Sequence, residues 1–344
     1  MAKKFEFGCL ATAIGSMPQT DAREVASLVL KYLPFIPHWT QLPRLSPLEN
    51  MYIQFSEGFP GAVREGDKIY IVRGRDFDEE LGQFYMDYEK NSLANYSISA
   101  EYAAGLHELL STKLPEAKMV KGQITGPVTW GLMVTDREQR GVIYDDVLGE
   151  IVAKFLKLKA SWQERALREV CADTIIFVDE PYLSSLGTAF VALPDEKRVV
   201  NLLEEVFDGI SGLKGIHCCG GADWSLILKT SINILSFDAY NYAESLSLYL
   251  GEVKAFLTRG GTIAWGIVPN DEGTLGKESI SSLRDRLEEA MAPFTRGGIR
   301  FRQLIGQGLL TPSCGLVNLS SEASAQALEL LAGLSDQLRK KYLK

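Results

Sequence analysis

Cysteine and histidine are scarce in this chain of 344 residues, which holds five of the first and three of the second. The cysteines (Cys9, Cys171, Cys218, Cys219 and Cys314) are odd in number, and the adjacent Cys218 and Cys219 are poorly disposed to bridge each other. A disulfide framework is therefore not expected, and the thiols are left for metal or redox work. No apolar run approaches the ~18 residues that would span a bilayer, so the chain reads as soluble and globular. The start, Met1-Ala2-Lys3-Lys4-Phe5-Glu6, is basic but has no apolar segment behind it, which argues against a secretory signal and for the cytoplasm. There is no cluster of five or more basic residues, and 44 acidic against 36 basic residues give a net charge of -8. Nucleic acid and anionic membranes are thus not expected as partners. Internal repeats and low-complexity linkers are also missing, so nothing splits residues 1–344 into two domains.

What is present is an alternation of short apolar runs with longer helical patterns, the signature of βα units and a mainly parallel sheet. Eight runs read as strands: residues 9–14, 35–38, 119–125, 174–178, 213–218, 232–237, 262–266 and 309–312. Residues 147–170 carry Leu148, Ile151, Val152, Phe155, Trp162, Leu167 and Val170 at helical spacing. Asp21 with Glu24 three residues on starts the first helix, and Ser320 or Ser321 caps a last one running to about Leu338. Residues 45–115 form an insertion between the second and third strands, with a hairpin over 61–71 turning at Glu65-Gly66-Asp67 and a helix-like stretch over 97–111. Eight strands favour a (β/α)8 TIM barrel. The alternative, a dinucleotide-binding sheet, is weaker because no Gly-x-Gly-x-x-Gly follows the first strand.

The stretch richest in chemistry is Gly215-Ile216-His217-Cys218-Cys219-Gly220-Gly221, with Thr311-Pro312-Ser313-Cys314-Gly315 almost a hundred residues later. Alternate residues of a strand share a face, so His217 and Cys219 point one way and Cys218 the other. With Cys314 they make one imidazole and two thiols, a set that suits zinc and leaves room for a fourth ligand. The plain alternative is that these are small buried residues, since a His-x-Cys triplet arises by chance in many proteins. Against it stands the rule that barrel active sites gather at the C-terminal ends of strands. Ser16, Asp179-Glu180-Pro181, His217, Cys219, Asp238 and Cys314 all fall there.

Taken together, Ile14-Gly15-Ser16-Met17-Pro18-Gln19-Thr20, Thr125-Gly126-Pro127-Val128-Thr129, Asp179-Glu180-Pro181, His217-Cys218-Cys219 and Ser313-Cys314-Gly315-Leu316 resemble the catalytic C-terminal half of cobalamin-independent methionine synthase. That family sits in the larger group containing uroporphyrinogen decarboxylase and the methylcobamide:thiol methyltransferases. The segments follow the family's order over nearly the whole chain. The resemblance implies that His217, Cys219 and Cys314 bind zinc. It places Asp238 where the family has a further glutamate ligand; this side chain is one methylene shorter, and a solvated loop aspartate is an equal reading. It implies that Ser16, with backbone groups at Ile14 and Gly15, holds the carboxylate of homocysteine, and that Asp179 receives its ammonium. A helix cap at Ser16 and a structural turn at Asp179-Glu180-Pro181 are the plain alternatives. The family's early glutamate falls at Leu45, a departure for which Glu49 is the nearest substitute and Arg44 another rim candidate, an ordinary surface ion pair being equally open.

The chain looks like the short, single-barrel form of the family, which implies a methylated corrinoid as the methyl donor. No Asp-x-His-x-x-Gly corrinoid-binding signature is present, so a separate corrinoid protein is the expected partner. The expected activity is zinc-dependent methyl transfer to homocysteine, giving methionine. Its rivals are a methylcobamide transferase for another thiol, such as coenzyme M, and a non-catalytic barrel whose zinc is structural.

Overall fold

The apolar runs form strands because both of their faces are covered, as in a parallel sheet wrapped by helices. The computed structural model describes residues 6–186 and 195–343. Met1 to Phe5, part of the segment that argues against a secretory signal, lie outside the described residues. Among the described residues there are nine strands: β1 Leu10–Ala11, β2 Ala62–Glu65, β3 Lys68–Ile71, β4 Val120–Thr125, β5 Thr174–Asp179, β6 Leu213–Cys218, β7 Ile234–Phe237, β8 Thr262–Val268 and β9 Gly308–Pro312. β2 and β3 are an antiparallel hairpin. The other seven form one parallel sheet in the order β1-β9-β8-β7-β6-β5-β4. The sheet curls into a TIM barrel.

The expected strand at residues 35–38 is not a regular one. Pro34 and Pro37 have no N–H to donate, so the ladder reduces to single bridges, His38 with Lys121 and Ser16 with Gln41. The segment still closes the barrel between β1 and β4. Lys121 N donates to Pro37 O (2.8 Å), and Gln41 N donates to Gly15 O (3.1 Å). The assigned part of β1 is likewise shorter than expected, although Thr12 N still reaches Leu310 O at 3.0 Å.

Helix ends follow local chemistry. Asp21 accepts from the amides of Arg23 and Glu24 and starts Ala22–Tyr32; Asp145 starts the long Asp146–Arg168; Ser320 starts Ser321–Tyr342, which runs past the expected Leu338. The hairpin of the insertion turns at Gly66, whose φ of +65° suits glycine. The helix expected over residues 97–111 forms only as Ala104–Ser111. Upstream, the carbonyls it would need are engaged elsewhere: Ser97 O by the Lys159 ammonium and Tyr102 O by the Gln54 amide. None of the described helices is long and apolar enough to cross a membrane.

Two cores result. A large one lies between sheet and helices. A small one, including Leu10, Ile36, Met119, Ile175, Phe177, Ile234 and Leu309, fills the barrel interior. Burying each such side chain contributes about 1.5–3 kcal/mol. Moving up the same inward faces, every second residue turns polar: Lys121 and Gln123 on β4, Asp179 on β5, His217 on β6 and Ser236 on β7. That change of character marks the functional end of the barrel.

Candidate metal centre and its pocket

Strand register assembles the centre. Thr125 on β4 faces Asp179 on β5, Asp179 faces His217 on β6, and His217 faces Ser236 on β7, which puts four side chains in one row at the C-terminal ends. Cys219 follows one residue beyond β6, and Cys314 follows β9. The ligand atoms of His217, Cys219 and Cys314 lie within 4.8 Å of one another. Cys218 points away and is buried, with its thiol pushed up to about 12 by burial. Strand alternation therefore selects the cysteine of the centre.

The donor set fits a zinc ion. His217 Nδ1 lies 3.0 Å from Ser236 Oγ, which orients the ring, while Nε2 is buried and has no hydrogen-bond partner. That is the arrangement of a metal-binding imidazole with its other nitrogen fixed. The Cys314 thiol and the His217 imidazole draw Cys219 down to about 4, against its burial. Cys314 is correspondingly held well above the ordinary thiol range, by its bond to Cys219 and by burial. A divalent cation bound here would displace the proton that the two sulfurs share.

The three residues open into a cavity of about 420 Å³, which is also lined by Ile14, Ser16, Asp179, Glu49 and Asn270. Ser16 sits against the turn after β9, where a Cβ on Gly315 would come within 2.0 Å of Ser16 Oγ and Leu316 N donates to Ser16 O at 2.8 Å. Glycine is thus required there for the two strand ends to meet. Gly15 has a φ of +152°, and a Cβ on it would meet the Gln123 amide at 2.8 Å. Asp179 is buried, its Oδ1 has no partner, and burial raises its carboxyl to about 6.

No family model matches the sequence, and no curated protein matches it. Solved structures do. The chain is similar to a B12-independent methionine synthase from Shewanella sp. W3-18-1 in complex with selenomethionine, at 16% identity and a TM-score of 0.60, over 97% of this chain and 98% of that one. It is also similar to a Listeria monocytogenes protein assigned as a vitamin-B12 independent methionine synthase, at 15% identity and a TM-score of 0.54, again over 97% and 98%. Likeness at these identities establishes the fold.

Three acids near the rim stand apart from the metal cluster. Asp238 is the N-cap of Ala239–Ser247: Oδ1 accepts from Asn241 N (2.9 Å) and Oδ2 from Asn241 Nδ2 (2.7 Å). It is not brought into the cluster of His217, Cys219 and Cys314. Glu49 borders the cavity, but its oxygens accept from Leu42 N (2.7 Å) and Ala104 N (2.9 Å), so it supplies the cap that Ala103 cannot. Glu180 accepts from Val128 N (2.9 Å) and Thr129 N (2.8 Å) at the start of Pro127–Met133. Burial nonetheless raises the Glu180 carboxyl to about 7. Asp179 and Glu180, adjacent in sequence, thus divide into a pocket acid and a helix anchor.

Two residues escape the motif-based reading. Asn270, beyond β8, accepts from Ser313 Oγ (3.1 Å) and donates to Gly315 O (3.4 Å), clasping Cys314 from both sides. Lys121 lies wholly buried inside the barrel and donates to Ile14 O (2.7 Å) and Gln123 Oε1 (3.1 Å). The signal was there in β4, where a lysine and a glutamine occupy alternate, inward positions of a strand whose every residue is buried.

Proposed function

We propose that the protein is a zinc-dependent methyltransferase that moves a methyl group from a methylated corrinoid, presented by a separate corrinoid protein, to the thiol of homocysteine, giving methionine. The observation that carries this reading is the convergence of the His217 imidazole and the Cys219 and Cys314 sulfurs, whose ligand atoms lie within 4.8 Å of one another, in one cavity with Asp179, whose Oδ1 is buried and unpartnered. The two structural neighbours, one of them in complex with selenomethionine, support the same reaction class. The whole chain would then be a single cytoplasmic catalytic barrel, with residues 45–115 as its insertion.

Zinc held by His217, Cys219 and Cys314 would act as a Lewis acid that keeps a substrate sulfur deprotonated at neutral pH, where a free thiol with pKa about 8.5 is mostly protonated. The remaining work belongs to the chain. Asp179, at the end of β5, offers a buried anion to the ammonium; Ser16 offers a hydroxyl to the carboxylate. With both ends of the amino acid fixed, the sulfur faces the open side of the cavity and the donor's methyl group. The sulfur forms a bond to the methyl carbon, the carbon–cobalt bond of the donor breaks with its electron pair left on the corrinoid, and the thiol proton goes to solvent. Ser236 and Asn270 hold His217 and Cys314 in place.

The deciding experiment assays methionine formation by the zinc-loaded protein with methylcobalamin and, separately, with methyltetrahydrofolate. Activity with methylcobalamin is expected. Activity with the folate alone would overturn the donor. An unchanged visible spectrum of the cobalt-substituted protein on adding homocysteine would favour a structural metal.

A further inference from the structure

One amide in the wall of the cavity is held in a single orientation by a chain of hydrogen bonds. Gln54 is wholly buried at the end of the short helix Met51–Gln54, and its Nε2 donates to Tyr102 O at 2.6 Å. A backbone carbonyl only accepts, so the nitrogen end of Gln54 must lie there and its oxygen end must face elsewhere. That oxygen accepts from Gln41 Nε2 at 2.7 Å. The orientation of the Gln41 amide follows, with its nitrogen engaged by Gln54 and its oxygen left over.

The backbone of Gln41 is engaged as well. Its N donates to Gly15 O (3.1 Å), and its O accepts from Met17 N (3.0 Å). Oε1 is thus the one polar atom of Gln41 with no protein partner among the described residues. Gln41 borders the cavity, and Oε1 is not one of the unpartnered atoms shut away from open space, so its free surface opens into the cavity. Gly15 locates it further. Oε1 lies 2.9 Å from where a Cβ on Gly15 would stand, whereas Ser16 Oγ lies 2.0 Å from where a Cβ on Gly315 would stand. An acceptor on the closing segment and a hydroxyl against the turn after β9 therefore flank the Gly15-Ser16 stretch on its two sides.

An amide oxygen accepts and cannot donate. In homocysteine the thiol is taken by the metal and the ionised carboxylate has no hydrogen to give, which leaves the ammonium as the partner for this oxygen. We propose that Gln41 is a specificity-determining residue for the amino end of the substrate: its Oε1, fixed by Gln54, accepts a hydrogen bond from the ammonium of an amino-acid thiol. The proposal rests on the reading of the cavity as an amino-acid thiol site. A neutral acceptor serves this purpose without burying a second anion near Asp179.

The test compares wild type with Gln41→Leu and Gln41→Glu, all zinc-loaded, by calorimetric titration of homocysteine and of 4-mercaptobutyrate, which keeps the thiol and carboxylate but lacks the ammonium. Gln41→Leu is expected to weaken homocysteine at least tenfold and 4-mercaptobutyrate less than threefold. Gln41→Glu keeps an acceptor in nearly the same place and gives it a charge. It should hold homocysteine within threefold of wild type and weaken the anionic 4-mercaptobutyrate at least tenfold. A role confined to packing, or to the bond with Gln54, would move both thiols together in both variants. Equal losses in Gln41→Leu, or a Gln41→Glu that loses homocysteine as fully as 4-mercaptobutyrate, would overturn the contact. Should Gln41→Leu fail to fold, the nearly isosteric Gln41→Glu decides between the two thiols alone. A wild type that binds 4-mercaptobutyrate as tightly as homocysteine overturns the ammonium contact and leaves the thiol site standing. A wild type that binds neither thiol overturns the functional reading and this contact with it.

Discussion

Two sets of polar groups stand at the same end of the barrel, and they differ in what already satisfies them. In the first set, Glu49, Glu180 and Asp238, every carboxylate oxygen accepts from an amide. In the second set, Asp179 Oδ1 and His217 Nε2 are buried with no partner, and two thiols crowd beside them. Buried polar atoms are nearly always bonded, so the first set reads as architecture and the second as a place awaiting a ligand. Residue type does not draw this line, since both sets contain buried acids at strand or helix ends. Satisfaction of the hydrogen-bonding capacity does.

The largest effect should come from the second set. Cys219→Ala is expected to abolish stoichiometric zinc binding and reduce methyl transfer below detection, with far-UV circular dichroism unchanged because the residue lies beyond β6. Retained stoichiometric zinc would break the comparison at its centre.

An orphaned atom is not sufficient by itself, as a second histidine shows. His38 donates from Nδ1 to Trp39 O at 2.9 Å and leaves Nε2 buried and unpartnered, as His217 does. Its neighbour is the Lys121 ammonium rather than two sulfurs, and burial together with that charge pushes its pKa down to about 3 from an ordinary value of 6.5. A group depressed on folding contributes stability that is present above its unfolded pKa and lost as pH falls towards the folded one. The shift corresponds to on the order of 5 kcal/mol between pH 6.5 and 3. Asp179 and Glu180, raised by burial, slope the other way over part of this window, so the measurable quantity is a difference. His38→Gln should flatten the fall of the urea midpoint between pH 6.5 and 4 relative to wild type. Parallel curves would mean that His38 takes a proton in the folded state.

Much of this was legible in the sequence. Strand alternation alone separates Cys219 from Cys218, and the placement of Ser16, Asp179, His217 and Cys314 at strand ends follows from counting apolar runs. What was not legible depended on partners distant in the chain. Nothing local shows that the Glu49 oxygens meet the amides of Leu42 and Ala104, or that Glu180 holds the helix after β4. The closing strand was obscured by Pro34 and Pro37, which remove the ladder but not the closure. Lys121 was passed over because a lysine in a strand is ordinarily solvated, and only closure of the barrel buries it.

Within the first set the effects should be smaller and of another kind. Glu49→Ala leaves two amides without acceptors, that of Leu42 and that of Ala104 at the start of Ala104–Ser111, a cost of about 1–3 kcal/mol for each that stays buried. A lowered urea midpoint with homocysteine affinity changed less than threefold is expected. A large loss of affinity at unchanged stability would move Glu49 into the second set.

The smallest effect is the most discriminating, because Asp238 is the residue on which resemblance and geometry diverge. By resemblance it stands where a further zinc ligand belongs; in the structure both of its oxygens serve Asn241 at the start of Ala239–Ser247. Loss of an N-cap costs about 1 kcal/mol. Loss of a ligand from a four-coordinate site would instead show in metal content, since the remaining donors hold the ion less well. Asp238→Ala should therefore lower the unfolding midpoint slightly while one zinc per chain is retained through dialysis. Asp238→Asn should lie closer to wild type, because its one oxygen can still accept from Asn241 N. If zinc were lost in both variants while stability held, the carboxylate would have to leave its cap to coordinate. The distinction between satisfied and waiting groups would then fail at this residue.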